Sequence, residues 1–232
     1  MAPVLGYWDF RGLVDPIRLL LAHAGVDYEY KVYKIGPAPE FSKDEFRSIK
    51  HEFGFDFPNS PYYIDGDFKL TQKMAILRYL GRKHGLIGSE EAELTRCDLA
   101  EQAAEDLAYY LYRSWFAGEE ASRKDLSENL PGKLSEFDKF IGSGPFVLGE
   151  KVTYSDFLVY STLDYLRVYD ESFLENFDSL KNFLTRIEAL PNVDAFIKSD
   201  KFSRLPISRQ FAWELKKITP EVTETPVSKS SE

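Results

Sequence analysis

Few residues in this chain are spaced as a reactive centre. Its 3 histidines, His23, His51 and His84, are scattered. Neither HExxH nor a cysteine pair occurs, so no metal site is expected. The single cysteine, Cys97, lies in a helical stretch without a partner arranged to activate it. A buried, inert thiol is the expectation there. No GxGxxG or P-loop pattern would cradle a nucleotide phosphate, and no GxSxG elbow would expose a serine. Carboxylates are plentiful, and solvated helix faces account for most of them. What is left is a phenol and an indole, Tyr7 and Trp8, at the end of a short apolar run. In open α/β sheets, ligands sit beyond the carboxyl ends of the strands, where these two side chains fall.

The elements that would position them follow from pattern. Pro3 to Trp8 reads as a strand. Asp15-Pro16 reads as a cap and a helix-opening proline, with a helix over Arg18 to Ala24 and Gly25 as its stop. Tyr28 to Tyr33 alternates as a strand. Gly36-Pro37-Ala38-Pro39 forces a loop, and Ser42 with Glu45 suggests a capping box for a short helix. Pro61 to Ile64 and Phe68 to Thr71 flank Asp65-Gly66-Asp67 as a hairpin. Helical spacing returns over Gln72 to Lys83. The order is βαβαββα, with the first two strands parallel and the last two antiparallel.

Beyond residue 85 the character is helical throughout. Ser89 is the expected cap of a helix reaching Trp115, and a second is expected over Lys124 to Phe140 despite Pro131-Gly132. Thr153 to Asp156 forms a capping box opening a helix whose Tyr154, Phe157, Leu158, Ser161 and Tyr165 share a face. Shorter helices are expected around Leu180 to Leu190 and Val193 to Ser199. The expected organisation is an α/β domain over 1–84, a linker over 85–89, an all-helical domain over 90–218 and a disordered tail over 219–232.

Composition fits that plan. The chain has 232 residues, 44% hydrophobic and 15% aromatic, with a net charge of −9. One large or two modest domains are expected. The acidic balance disfavours nucleic acid and anionic membranes as partners. One cysteine suits a reducing compartment. Asp9 and Arg11 interrupt the start where a signal peptide needs an apolar segment, and no run is long enough to span a bilayer. A cytoplasmic protein is expected.

Three stretches carry a family resemblance. The first is Leu5-Gly6-Tyr7-Trp8-Asp9-Phe10-Arg11-Gly12, followed by Pro16 to Leu21. The second is Asp56-Phe57-Pro58-Asn59-Ser60-Pro61-Tyr62-Tyr63-Ile64-Asp65-Gly66. The third is Leu70-Thr71-Gln72 with Ala75 to Tyr79. Together they closely resemble the mu class of cytosolic glutathione S-transferases. The loop Ile35 to Phe41 and the segment Phe146 to Phe157 are similar to that family too, and the resemblance runs from about residue 3 to 215. It implies a thioredoxin-like domain that binds glutathione, a helical domain that takes hydrophobic electrophiles, and a homodimer. Glutathione is then a co-substrate, with no cofactor and no metal.

The resemblance also implies roles. Tyr7 would hydrogen-bond the glutathione thiolate. Trp8 and Leu13 would wall the site, and Lys43, Phe46, Lys50, Asn59, Ser60, Gln72 and Lys73 match positions that contact the tripeptide. Ser60-Pro61 resembles a cis-proline step. Asp106 matches an acidic residue that acts from the partner subunit. Phe10, Tyr112 and Phe116, with Tyr7 and Leu13, would form the electrophile pocket, and Phe57 would enter a pocket of the partner. Four positions depart from the pattern: Lys73 replaces a serine or threonine, Phe46 a tryptophan, Lys43 an arginine and Phe116 a tyrosine. A lysine in a helix's first turn opposes the dipole unless an anion is near. A non-catalytic carrier or a structural descendant of the fold is the alternative, and Tyr7, Gln72 and Asp106 favour the enzyme.

Overall fold

A computed structural model describes residues 2–211 and 213–214. The expected tail over 219–232, and the end of the expected helical domain, lie outside the described residues. Strand β1 (Val4–Trp8), helix α1 (Asp15–His23), strand β2 (Glu29–Tyr33) and helix α2 (Asp44–Arg47) come first. Strands β3 (Tyr62–Asp65) and β4 (Phe68–Thr71) and helix α3 (Lys73–Lys83) follow. The sheet order is β2-β1-β3-β4. β1 runs parallel to β2, with Tyr7 opposite Val32, and antiparallel to β3, with Leu5 opposite Tyr63. β3 and β4 form the hairpin, closed at Gly66 with a φ of 61°. β1 is thus a central strand, and its Leu5, Tyr7 and Trp8 are buried. A Cβ on Gly6 would come within 2.1 Å of the Tyr62 ring. That glycine lets an aromatic side chain lie flat on the strand.

The remaining helices are α4 (Glu91–Phe116), α5 (Glu119–Ile141), α6 (Tyr154–Asp170), α7 (Asp178–Glu188) and α8 (Pro191–Ile197), with a 3-10 turn at Glu171–Leu174. α6 is the hub, packed on α1, α3, α4 and α7. Its capping box forms: the carboxylate of Asp156 accepts from the Thr153 amide at 2.7 Å and from the Val147 amide at 2.7 Å. α6 is buried nearly all round rather than on one face, as a helix at the centre of a bundle must be.

Several local expectations are corrected. Asp15 does not cap α1; Val14 precedes the helix, and the buried Asp15 carboxylate accepts from Arg11 Nε at 3.1 Å. A charged partner outcompetes the helix amides for it. Ser42 and Glu45 form no capping box. Glu45 instead accepts from the Lys34 amide at 2.6 Å, joining α2 to the chain leaving β2. Ser89 does not cap α4 either; Glu90 precedes it, and Glu93 reaches back to the Ser89 amide at 2.7 Å. α5 starts earlier than expected and runs through Pro131. Leu126, Leu130, Leu134, Phe137 and Ile141 form its buried stripe, and Pro131 lies on the exposed side. Burial of that stripe, about 1.5–3 kcal/mol per large apolar side chain, outweighs one lost backbone bond.

Candidate active site

The Tyr7 hydroxyl sits at the carboxyl end of β1, and the loop from Asp9 to Val14 folds over it. The Leu13 amide donates to the Tyr7 oxygen at 2.9 Å. Among the described residues the oxygen takes this single bond, as acceptor, which leaves its O–H free to donate. Tyr7 is only 3% exposed, and burial holds its pKa well above the ordinary phenol value, with the Leu13 bond opposing the rise. The phenol is therefore protonated at neutral pH. The close approach of the loop requires Gly12: its φ is 37°, and a Cβ there would sit 2.5 Å from the Tyr7 oxygen. Phe10 meets the Tyr7 ring edge-on at 5.4 Å.

In front of this hydroxyl lies a cavity of about 320 Å³ lined by Tyr7, Trp8, Phe10, Leu13, Lys43, Phe46, Arg47, Lys50, Asn59 and Ser60. Nine of the residues singled out in the sequence thus share one cavity, near the lower end of the size range of small-molecule sites. Arg47 is the one that sequence reasoning missed. Its signal was available, because Lys43, Arg47 and Lys50 are spaced i, i+4 and i+7 and a helical turn puts them on one side. Burial and the neighbouring Arg47 lower the pKa of Lys43. Such a cationic wall suits an anionic ligand. Lys50 Nζ donates to the Pro58 carbonyl at 3.3 Å, tying α2's exit to the segment before β3. Phe46 is buried, 5.7 Å from Trp8 and 6.0 Å from Tyr62, so it supplies apolar surface where an indole would add a donor.

The Ser60-Pro61 bond is cis, and the Ser60 amide donates to Asn59 Oδ1 at 2.9 Å. Asn59 is thus engaged with its own neighbour. Gln72 lies outside the cavity lining; it follows Thr71, which pairs with Tyr62, two residues beyond the lining residue Ser60. Gln72 has a φ of 71°, a left-handed conformation that non-glycine residues seldom adopt. Lys73 stands in the first turn of α3, where a lysine opposes the helix dipole unless an anion is near. It is ion-paired with Glu105 of α4, which supplies the missing anion from within the chain. Asp106, the next residue, is exposed and accepts from Gln102 Nε2 at 3.0 Å.

Tyr112 and Phe116 lie further along α4 and do not line the cavity. Tyr112 stacks on Phe211 at 5.6 Å, and Phe116, 59% exposed, meets Phe211 edge-on at 4.9 Å. Phe211 belongs to a C-terminal segment without regular pattern, and nothing local to it signals that it fills this corner. Leu13, 37% exposed, is the apolar side chain beside the Tyr7 hydroxyl. A larger hollow of about 650 Å³ lies between α6 and α7, around Arg167, Glu171 and Lys181, and contains none of the candidate residues. Cys97 is buried, and burial raises its pKa. Among the described residues no group of His, Cys, Asp and Glu could hold a metal ion, and no helix is long and apolar enough to cross a membrane.

Comparison with known proteins agrees with this geometry. The family described as glutathione S-transferase, N-terminal domain, matches residues 3–82, and glutathione S-transferase, C-terminal domain, matches residues 105–200. The chain is 44% identical over 208 residues to glutathione S-transferase Mu 1 of Oryctolagus cuniculus, covering 89% of this chain and 95% of that protein. It is 44% identical over 200 residues to a glutathione S-transferase of Dermatophagoides pteronyssinus, covering 86% and 91%. The crystal structure of the glutathione S-transferase Blo t 8 superposes with a TM-score of 0.80 at 34% identity, covering 88% of this chain and 95% of that one. With its thioredoxin-like sheet and its helical second half, the chain belongs to the mu class of the glutathione S-transferase family.

Proposed function

We propose that this protein conjugates the glutathione thiolate to hydrophobic electrophiles, with Tyr7 holding the sulfur. The carrying observation is the Tyr7 hydroxyl, which accepts from the Leu13 amide at 2.9 Å and keeps its proton to donate at the cationic cavity that Tyr7 lines. A hydrogen bond to sulfur favours the charged form and lowers the thiol pKa. A free thiol titrates near ~8.5, so about 3% is ionised at pH 7; a shift of ~2 units gives about 75%. Nucleophilicity falls with basicity at a slope of ~0.4–0.5, so ionisation alone yields only about a two- to fourfold gain. Holding the two reactants together must supply most of the rate. With an aryl halide the sulfur–carbon bond forms, the carbon–halogen bond breaks and halide departs.

In this reading Lys43, Arg47 and Lys50 attract one glutathione carboxylate, while Trp8, Leu13 and Phe46 wall the tripeptide. Asn59, Ser60, Gln72 and Lys73 bind its polar backbone and the γ-glutamyl end. Phe10, Leu13, Tyr112 and Phe116, with Tyr7, take the electrophile. Residues 1–84 are the glutathione-binding unit and 90–218 the electrophile-binding unit, joined by 85–89. No cofactor is called on, and a cytoplasmic location fits the single, buried cysteine.

A homodimer completes the site. Phe57 is 72% exposed, and Thr71 Oγ1 holds its carbonyl at 2.8 Å. An apolar groove of about 160 Å³ between α4 and α5, lined by Leu99, Ala103, Phe137 and Phe140, fits such an anchor. Leu99, Ala103 and Asp106 are spaced i, i+4 and i+7 on α4, so pairing through the groove carries Asp106 towards the partner's site. The deciding experiment is conjugation of glutathione with a simple aryl halide. Saturable turnover above the uncatalysed rate is expected. Glutathione binding without turnover would replace the enzyme by a carrier.

A further inference from the structure

Tyr165 lies in the middle of α6 and reaches back to the loop that covers Tyr7. Its hydroxyl donates to the Gly12 carbonyl at 2.6 Å. The Gly12 carbonyl and the Leu13 N–H belong to one peptide group, and that N–H donates to the Tyr7 oxygen at 2.9 Å. We propose that Tyr165 is a positioning residue for the conjugation reaction, which strengthens Tyr7 as a donor to the glutathione thiolate through the Gly12–Leu13 peptide.

The direction of the effect follows from polarisation. A donor on the carbonyl draws electron density from the amide nitrogen and makes its N–H a stronger donor. A stronger bond into the Tyr7 oxygen makes the Tyr7 O–H more acidic in turn. Hydrogen bonds in series strengthen one another by about 10–30% per bond, most effectively where water is excluded. Tyr165 and Tyr7 are both nearly inaccessible, at 4% and 3% exposed.

The two peptide groups that lead into the Gly12–Leu13 peptide are pinned to the chain at Pro206 and Ile207. The Arg11 amide donates to the Pro206 carbonyl and the Gly12 amide to the Ile207 carbonyl, each at 2.9 Å. Tyr165 donates at all working pH values, since burial raises its pKa far above neutrality. The charged and titratable groups facing it are Asp15 of α1, Tyr112 of α4, Arg11 of the loop and Tyr7 of β1. The Arg11 guanidinium lies 4.8 Å from the centre of the Tyr165 ring, a contact that phenylalanine would keep.

The inference rests on the reading of Tyr7 as the thiol's donor, and the test separates the two. The ionisation midpoint of bound glutathione is read from thiolate absorbance in the full-length protein. Binding of S-methylglutathione, which has no thiol to ionise, controls for disturbance of the site. Tyr165→Phe should raise the midpoint by about 0.3–0.5 pH unit, with S-methylglutathione affinity within about twofold of wild type. Placing 3,5-difluorotyrosine at position 165, a stronger donor, should lower the midpoint, a sign that a purely structural role does not give. In a Tyr7→Phe background, Tyr165→Phe should add no shift. If Tyr7→Phe moves the midpoint and Tyr165→Phe does not, or if the shift persists without the Tyr7 hydroxyl, the relay is overturned and Tyr7 keeps its role. If Tyr7→Phe itself leaves the midpoint in place, the reading of Tyr7 fails and the relay goes with it. Should Tyr165→Phe not fold, the fluorinated protein decides: an unchanged or raised midpoint overturns the proposal.

Discussion

The Lys73 ammonium, in the first turn of α3, is ion-paired with the Glu105 carboxylate of α4, with side chains 10% and 31% exposed. If Lys73 binds the γ-glutamyl carboxylate, as proposed above, that carboxylate must compete with Glu105 for one cation. Lys73→Met should weaken glutathione binding several-fold at low salt and less at high salt, because a partly exposed ion pair is screened. Glu105→Gln, which frees the lysine, should tighten binding at low salt. Calorimetric titration at two ionic strengths checks both. An unchanged affinity in Lys73→Met assigns the lysine to the α3–α4 contact alone.

Removing the Tyr7 hydroxyl tests the proposed chemistry directly. Tyr7→Phe should raise the pH at which bound glutathione ionises by about 2 units, losing the stabilisation of the charged sulfur. The conjugation rate at neutral pH should fall, while circular dichroism reports an intact fold. The Leu13 amide loses its acceptor, which costs about 1–3 kcal/mol if it stays buried, so a lower melting temperature is expected. An unmoved midpoint would remove Tyr7 from its assigned role.

The dimer reading turns on one aromatic anchor. Phe57→Ser should weaken association markedly, since buried aromatic anchors commonly contribute 2 kcal/mol or more at an interface. Ala103→Glu, on the groove that would receive it, should do the same from the other side. Sedimentation equilibrium of the two variants and the parent gives the answer. A monomeric parent would end this reading and the role of Asp106 across the interface.

A pH effect is expected from Asp156, the capping residue of α6. Burial pushes its carboxyl up to about 6, against the amides of Val147 and Thr153 that favour the charged form. The folded value lies above the unfolded one, so its contribution is full below about pH 4 and is lost as pH rises through about 6. The shift corresponds to about 3 kcal/mol. Denaturant titrations from pH 4 to 7 should show the parent losing stability relative to Asp156→Asn by up to that amount. A gap constant across the range would mean that Asp156 stays ionised throughout.

The elements were legible because their signals are local. A short apolar run set β1, alternation set β2, Gly66 set the hairpin, and the Thr153–Asp156 capping box set the start of α6. Caps failed where a side chain found a better partner from elsewhere: Asp15 took Arg11, and Glu45 took the Lys34 amide. Nine of the site residues fall together because they sit at the carboxyl end of β1, on the turn of α2 and just before β3, places that element order alone implies.

The sequence by itself determined the class of fold, the family and the identity of the phenol, because periodicity, turn residues and a contiguous motif need no tertiary information. Only the tertiary structure decided what each polar group faces. Lys73 and Glu105 are 32 positions apart, and Tyr165 and Gly12 are 153 apart. A hydrogen bond is short and directional. Which donor meets which acceptor therefore depends on how α6 and α4 pack against the β1–α1 loop, and no stretch of neighbouring residues carries that information.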